Sequence, residues 1–590
     1  MDDFLEYYAE SSLVKMLCKH RARISHQRHK KHMIRDISLH DRTNKISIPK
    51  TDKEFIFLQS IFPSRRNWKK LNQYERLHKT KFTNSIERNQ HRLWKSYKHE
   101  KYLVEKKAKK PENWYQNLTD FCKSIREKVD KIETNGYKID KPTIFPLPKS
   151  LKSGIFEYRP IAKYKIEDKI ITSAFARYLT VKFDDIFLDC SYAFRARRNG
   201  EIPNHHDSII RILKHKKKFK KLWVAECDIQ KFFDTVQHIH LEKIFIEAIN
   251  RLRKNGIDIS PKAMRLFHLF LNSYSFNKDV LPKNLDPNYF KKNGVPPGIF
   301  KWVGGYLKTC YDKDYVNNYR IGVPQGNAVS CFISNLILSK IDEEVLRTDE
   351  NLMYVRYCDD MVIAHTDKVI CKKALETYKK GIKDNFLLYH DSEKIQDYKK
   401  SPKVFWKFKS KEPYFWGNKH EGVNNVPWLS FVGYQINYKG NIRVRKSSIN
   451  KEIRKQIKET QRILHALGMD KNRELADIDK FSRKSQNQII FSLQQRLISM
   501  SVGRMTLYNY ELEDFNQGLC WTNGFFLLSN NTISKKQLKK LDKSREQQIS
   551  YIKRKIKKLQ KETEDIDDIP KHLRDIYFGK PFSYFQYIDK

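Results

Sequence analysis

Residues 353–365 read MYVRYCDDMVIAH, and the adjacent Asp359 and Asp360 constrain the chain more than any other feature. Tyr354, Val355 and Tyr357 precede the pair, and Met361, Val362 and Ile363 follow it. Such β-branched and aromatic residues favour strands, whereas aspartate is depleted there. A buried carboxylate is also costly unless it is paired or bound to a metal. The pair therefore predicts a hairpin tip between two strands, since aspartate is a good turn residue. For an isolated pair, the turn alone would suffice as an explanation.

A second carboxylate changes that reading. In ECDIQKFFDTV, Asp228 ends an apolar strand and Asp234 follows it closely. Strand alternation puts Val224, Glu226 and Asp228 on one face and Trp223, Ala225 and Cys227 on the other. The second face reads as core, and the first delivers Asp228 to a wetter surface at the strand end. Two such strands side by side bring Asp228 next to Asp359. Close carboxylates repel and take up a proton unless a cation intervenes. Hard oxygen donors suit Mg²⁺, and two ions about 3.5–4 Å apart can activate a hydroxyl and stabilise a leaving phosphate.

Composition names the partner class. With 116 Lys+Arg against 69 Asp+Glu in 590 residues, the net charge is +47. An excess of this size predicts a long polyanion, nucleic acid first and an anionic membrane second. No run of about 18 apolar residues is present to span a bilayer. The acidic start, MDDFLEYYAE, argues against a secretory signal. Nine cysteines form no C-x-x-C pair, which excludes a recognisable zinc knuckle and reads as reduced thiols in a cytosol. No G-x-x-x-x-G-K-[ST] loop is present, so an NTP-driven motor is not expected.

Four segments follow from the patterning. Residues 1–110 are a basic, mostly helical extension. Residues 111–220 and 221–446 alternate strand and helix patterns and carry most of the Pro and Gly, including a hairpin in WLSFVGYQINYKGNIRVR that turns at Lys439-Gly440. Residues 447–590 are helix-rich and basic. Within the third segment, Val329, Phe332, Ile333, Leu336, Ile337 and Ile341 recur at helical spacing as a core stripe.

Taken in order, DIQKFF, GVPQGNAVSCFISNLILSKID, YVRYCDD, EKIQDYK and LSFVGYQI resemble the palm of bacterial reverse transcriptases of the group II intron and retron branch. Tyr357-Cys358-Asp359-Asp360 fits that family's Y-x-D-D. FPLPKSLKSGIFEYRPIAKYKIEDKII resembles its fingers, and SYAFRARRNG the block before the first catalytic strand. The resemblance spans about residues 140–450. It implies an α+β right-hand polymerase: fingers over 111–220, a palm over 221–446 built on an antiparallel sheet with helices on one face, and a helical thumb and C-terminal region over 447–590.

The resemblance also implies roles. Asp228, Asp359, Asp360 and the backbone of Ile229 would hold two Mg²⁺ ions, with Mn²⁺ able to substitute. Asp360 is the less certain ligand, because neighbours on a strand face opposite ways. Lys149 and Arg159 would meet the triphosphate, and Lys394 the leaving pyrophosphate; Lys149 and Lys394 read equally well as solvated surface. Phe233 would be a steric gate against a ribose 2′-hydroxyl, a role Phe232 could share. Gln325 and Gly326 would border the templating pair, where a glycine lets the backbone approach a base. Tyr357 would lie beside the primer end, and Phe431 and Gly433 in a primer grip where the glycine permits close strand approach.

The expected activity is RNA-directed DNA polymerisation of dNTPs, cytoplasmic and bacterial. The basic extension, the long helical end and the absence of a zinc nuclease resemble standalone defence-associated, abortive-infection reverse transcriptases. These imply a cognate noncoding RNA template, or untemplated or protein-primed synthesis of DNA, and a homo-oligomer or partner protein, without a membrane. Two alternatives stand: an intron maturase or mobile-element reverse transcriptase, and an RNA-binding ribonucleoprotein component with little polymerase activity.

Overall fold

The computed structural model describes residues 3–37, 53–73, 75, 85–196, 202–392, 398–421, 425–466, 521–528 and 532–557, with single residues 490, 493, 494, 497 and 582. It is α+β, with antiparallel sheets among many helices. Two compact units emerge: residues 1–13, 122–432 and 437–440 form the first, and residues 14–121, 433–436 and 441–590 the second.

The first unit contains the strands of interest. β1 (Thr143–Lys152) and β2 (Ile155–Lys163) form an antiparallel hairpin in which Leu147 faces Arg159. The register shifts between Pro148 and Ser150, which leaves Lys149 as the extra residue of a bulge. Bulges bend a strand and re-aim a side chain. A short strand, β4 (Gly298–Ile299), pairs in parallel with β2. It is held there by the Tyr158 hydroxyl, which donates to the Pro296 carbonyl at 2.6 Å, and by the stacking of Tyr158 on Phe290 at 5.0 Å.

Strands β3 (Trp223–Cys227), β5 (Met353–Tyr357), β6 (Asp360–His365) and β7 (Lys411–Phe415) make an antiparallel sheet in the order β5-β6-β3-β7. The helix Lys368–Asp384 packs on β3, β6 and β7, and the helix Ala328–Leu346 packs on it and on the helix Ile166–Phe183. The whole predicted stripe of Ala328–Leu346 is buried. Ser334, Asn335 and Leu338 are buried with it, because helices flank it on more than one side.

Ala225 and Cys227 are core as expected, and Asp228, past the strand end, is half-buried, but the other face of β3 is covered as well. Val224 and Ala225 are both fully buried, and Glu226 is buried too. As an inner strand, β3 is covered on both faces, so alternation no longer separates core from solvent. Glu226 is matched there by Lys411 at 2.5 Å and by the Tyr414 hydroxyl at 2.7 Å.

The charge that organises this unit is Arg356, whose side chain is 0% exposed. Its guanidinium grips Asp342 of the helix Ala328–Leu346 at 2.6 and 2.9 Å and reaches Asn335 at 3.2 Å. It also donates to the Cys358 carbonyl at 3.0 Å. The Tyr354 hydroxyl donates to Asp342 at 2.8 Å. Asn335 in turn donates to the Ala193 carbonyl and accepts from the Ser191 hydroxyl. One cluster thus joins the segment 190–195, the long helix and the β5–β6 turn.

The second unit holds the helices Glu10–Ile37 and Ser85–Glu105, the hairpin of β9 (Tyr434–Asn437) and β10 (Ile442–Val444), and the helices Lys446–Ala466 and Thr532–Lys557. The hairpin pairs Ile436 with Ile442, so the turn lies where Lys439-Gly440 predicted it. Gln537 satisfies both the N–H and the carbonyl of Val444, at 3.0 and 2.9 Å. The two long helices pack on each other.

Replacing Arg356 with methionine leaves the Asp342 carboxylate buried and uncompensated. The expected loss is about 3–5 kcal/mol, read as a lowered urea midpoint. Adding Asp342→Leu should recover part of it; a single Arg356→Met variant as stable as wild type would remove the organising role.

Candidate active site

The β5–β6 turn follows from its register. Tyr357 pairs with Asp360, so Cys358 and Asp359 form a two-residue loop. Such loops favour positive φ at a central residue, and Cys358 has φ +60°. A non-glycine residue there costs on the order of 1–3 kcal/mol unless its surroundings over-determine it. The Arg356 bond to the Cys358 carbonyl is one such determinant. Asp359 therefore sits at the tip and is half-buried, while Asp360 opens β6 and is exposed.

Asp228 arrives from the neighbouring strand. The β3–β6 ladder ends with Cys227 opposite Met361, and Asp228 continues beyond it. Burial, and then the charge of Asp228, push the Asp359 carboxyl above its ordinary range, while Lys409 opposes the shift. The two carboxylates are thus electrostatic neighbours, as the sequence suggested.

The residues after Asp228 are fixed by a second segment. The Asp228 carbonyl accepts from the His390 N–H at 2.9 Å, and the Gln230 N–H donates to the Leu388 carbonyl at 2.6 Å. Ile229 lies opposite Tyr389 between these two bonds. In an antiparallel pair of this kind the enclosed residue turns its own N–H and carbonyl away from its partner. The Ile229 carbonyl is therefore directed away from Tyr389. Among the described residues, no set of three His, Cys, Asp or Glu side chains converges. The donors available are hard oxygens: two neighbouring carboxylates and a main-chain carbonyl. They fit Mg²⁺, which keeps waters and substrate phosphates as its remaining ligands.

A lysine and a histidine flank Asp228. Lys409 Nζ lies 2.5 Å from Asp228 Oδ2, and His390 Nε2 lies 3.6 Å from it. Desolvation lowers the His390 pKa, and Lys409 lowers it further. Lys149, on its bulge, is exposed, as is Arg159. Desolvation and then the charges of Lys231 and Arg159 lower the Lys149 pKa, with a further contribution from Lys409. The fingers-like cations and the carboxylates thus share one region of the first unit.

Two predicted aromatics separate. Phe232 is buried as core, whereas Phe233 is half-buried, with its ring 5.3 Å from that of Phe232. The Phe233 carbonyl accepts from the Val323 N–H at 2.8 Å. Asp234 is buried and its pKa is raised by that burial; it accepts from the Gln325 amide at 2.7 Å. It is therefore a support for Gln325 rather than a member of the carboxylate pair. The main-chain carbonyl of Gln325 also accepts from the Ala162 N–H at 3.1 Å, which ties the PQG turn to β2. Gly326 is exposed with φ +97°, a conformation that favours glycine.

Tyr357 is half-buried; burial pushes its pKa up to about 12, and its ring meets His205 edge-on at 5.9 Å. Phe431, at the end of β8 (Trp428–Phe431), is buried, so its ring is a core group. Gly433 has φ +90°, and the nearest atom to a Cβ there would be Ser448 Oγ at 4.0 Å. Backbone conformation requires this glycine, not the close strand approach expected from sequence. Lys394 lies outside the described residues. Lys409, His390 and His205 escaped sequence reading; they lie in no recognisable motif, and only tertiary pairing brings them to the site.

The sequence profile of the family described as reverse transcriptase (RNA-dependent DNA polymerase) matches residues 148–407. That span contains Asp228, Asp359, Asp360, Lys149, Arg159 and the PQG turn. Residues 148–407 thus carry a reverse-transcriptase domain within an α+β fold. Solved structures similar to the chain include apo telomerase from Candida tropicalis, at 11% identity and TM-score 0.33, covering 71% of this chain and 64% of that one. Another is telomerase from Candida albicans in complex with a fragment of telomeric RNA, at 12% identity and TM-score 0.28, covering 75% and 64%. The chain thus spans less than two thirds of the length of these telomerases. No curated protein matches it. No helix among the described residues is long and apolar enough to cross a membrane.

The raised Asp359 pKa has a stability consequence. A carboxyl whose folded pKa exceeds its unfolded value destabilises the fold once pH rises above the unfolded value. Asp359→Asn should therefore raise the melting temperature of metal-free protein at neutral pH. Each 1 kcal/mol relieved corresponds to about 2–4 °C in a domain of this class. The gain should shrink as pH falls toward the ordinary carboxylate range, where Asp359 is itself neutral. Thermal melts in EDTA across pH check this, and a variant less stable than wild type at neutral pH would contradict the repulsion.

Proposed function

We propose that the reverse-transcriptase domain of residues 148–407 extends a DNA strand on an RNA template by metal-assisted nucleotidyl transfer from dNTPs. The observation that carries this reading is the apposition of Asp228 and Asp359 at neighbouring strand ends, with Lys149 and Arg159 in the same region. In the reaction, a primer 3′-oxygen forms a bond to the α-phosphorus of the dNTP. The bond from that phosphorus to its bridging oxygen breaks, pyrophosphate leaves, and the hydroxyl proton passes to solvent. Asp228, Asp359, Asp360 and the Ile229 carbonyl would hold two Mg²⁺ ions, or Mn²⁺ in their place, which lower the hydroxyl pKa and offset phosphate charge.

The remaining roles are those of the chain's own side chains. Arg159 can grip phosphate oxygens in bidentate fashion, and Lys149 acts as a point charge. Phe233, with Phe232 packed behind it, offers a ring edge where a 2′-hydroxyl would lie. Gln325, steadied by Asp234, and Gly326 border the templating pair. Tyr357 lies beside the primer end, and the backbone around Phe431 and Gly433 grips the primer. Lys394 is assigned to the departing pyrophosphate.

We further infer a bacterial, cytoplasmic enzyme of the group II intron and retron branch that serves in antiphage defence. It would copy a cognate noncoding RNA or synthesise DNA untemplated or from a protein hydroxyl, alone, as a homo-oligomer or with a partner protein. The net charge of +47 supports a nucleic-acid partner. Sequencing the nucleic acid that co-purifies with the protein tests this finer reading; recovery of random host RNA without attached or copied DNA would count against it.

Two substitutions test the chemistry. Asp359→Ala with Asp360→Ala should reduce dNTP incorporation about 10²-fold or more in a primer-extension assay, and activity equal to wild type would sink the site. Phe233→Ala should narrow the preference for dNTPs over NTPs by about 10-fold or more. An unchanged ratio in single-nucleotide kinetics would remove the gate.

A further inference from the structure

The second unit carries a cationic surface that the polymerase chemistry does not use. The segment 63–70, PSRRNWKK, contains a one-turn 3₁₀ helix at Arg65–Asn67 and is pinned to the helix Ser85–Glu105. Trp68 is buried, and its indole N–H donates to the Pro63 carbonyl at 2.9 Å. The Arg92 guanidinium donates to the Trp68 and Lys69 carbonyls at 3.0 and 3.1 Å. The Lys69 N–H donates to the Ser96 hydroxyl at 2.9 Å. This turn is therefore held in one conformation, yet Arg65, Arg66 and Lys70 on it are exposed.

Arg88 and Arg92 lie one helical turn apart on the same face of their helix. Both have pKa values lowered by burial, and then by neighbouring guanidiniums: Arg92 and Arg65 act on Arg88, and Arg65 acts on Arg92. Among the described residues, no ion pair links Arg65, Arg88 or Arg92 to a carboxylate. The nearby Glu75 is committed elsewhere. Burial would raise its pKa, but His91 and Lys95, at 2.7 and 2.8 Å, hold it down at about 2. Like charges gathered on an ordered surface without a described internal counterion call for an external anion.

We propose that Arg65, Arg66 and Arg88, on the turn pinned by Trp68 and Arg92, form a binding site for the phosphate backbone of a nucleic-acid strand. The chemistry selects phosphate over base. Arg21 and Arg92 lie 5.4 and 5.8 Å from the Trp68 ring, so its π-system already faces cations and the ring is buried. No exposed aromatic of this turn is offered for stacking. The same fact disfavours a membrane, because the turn presents guanidiniums without an exposed apolar residue to insert. Contacts of this kind hold a strand in position without reading its sequence. The inference concerns binding outside residues 148–407 and does not rest on the polymerase reading.

The test compares full-length wild type with Arg65→Glu/Arg66→Glu, and with Arg88→Gln as a second variant. A charge-matched control is Lys243→Glu/Lys254→Glu, at two exposed lysines elsewhere. Fluorescence anisotropy with a short labelled single-stranded RNA, and with DNA of the same sequence, is followed over a series of KCl concentrations without dNTPs. The first variant should bind about 10-fold or more weaker than the control, with a salt slope shallower by about 0.7 for each phosphate no longer neutralised. RNA and DNA should be affected alike, and primer extension on a saturating pre-annealed duplex should be unchanged. A weakening no greater than the control's overturns the proposal. So does a weakening confined to one of the two nucleic acids, or one seen only with phosphatidylserine vesicles.

Discussion

The buried pair of Arg356 and Asp342 is the interaction on which the site depends. Desolvating two charges is costly, and a buried pair is weak evidence of net stabilisation. Its value here is positional. Arg356 belongs to β5, Asp342 to the helix that follows the PQG turn, and the Cys358 carbonyl to the turn that carries Asp359. Any shift of one element leaves a buried charge unmatched, so the three are locked to one another. The left-handed Cys358 is tolerated within that frame because its carbonyl has a fixed partner.

Against this rigid frame stands a conflict of charge. Burial, and then the charge of Asp228, oppose the ionisation of Asp359. Lys409 offsets part of it from one side. A fold optimised for stability alone would not collect carboxylates in this way. A perturbed carboxyl with a second carboxylate and lysines beside it is the kind of cluster that marks functional sites.

Much of this is legible in the chain. The strand–turn–strand around Asp359, the second strand ending at Asp228, the buried stripe from Val329 to Ile341 and the hairpin at Lys439-Gly440 all follow from local periodicity and turn chemistry, which act over a few residues. The misreadings share one cause. Alternation marks one face of β3 as core without foreseeing that the other is covered too, and a strand glycine at 433 suggests close packing. Both errors concern what lies opposite a residue, and period-2 alternation carries no information about a second layer on a strand's far face.

Sequence by itself determined which residues could do chemistry, because two carboxylates in apolar strands and a net charge of +47 are properties of composition and spacing. The tertiary structure decided which of them meet. It put Asp234 beneath Gln325 instead of beside Asp228, chose Phe233 over Phe232 as the open ring, and recruited Lys409 and His390 from segments with no motif. Those choices depend on pairings between residues far apart in the chain, and energies of contact at that range cannot be read from sequence neighbours.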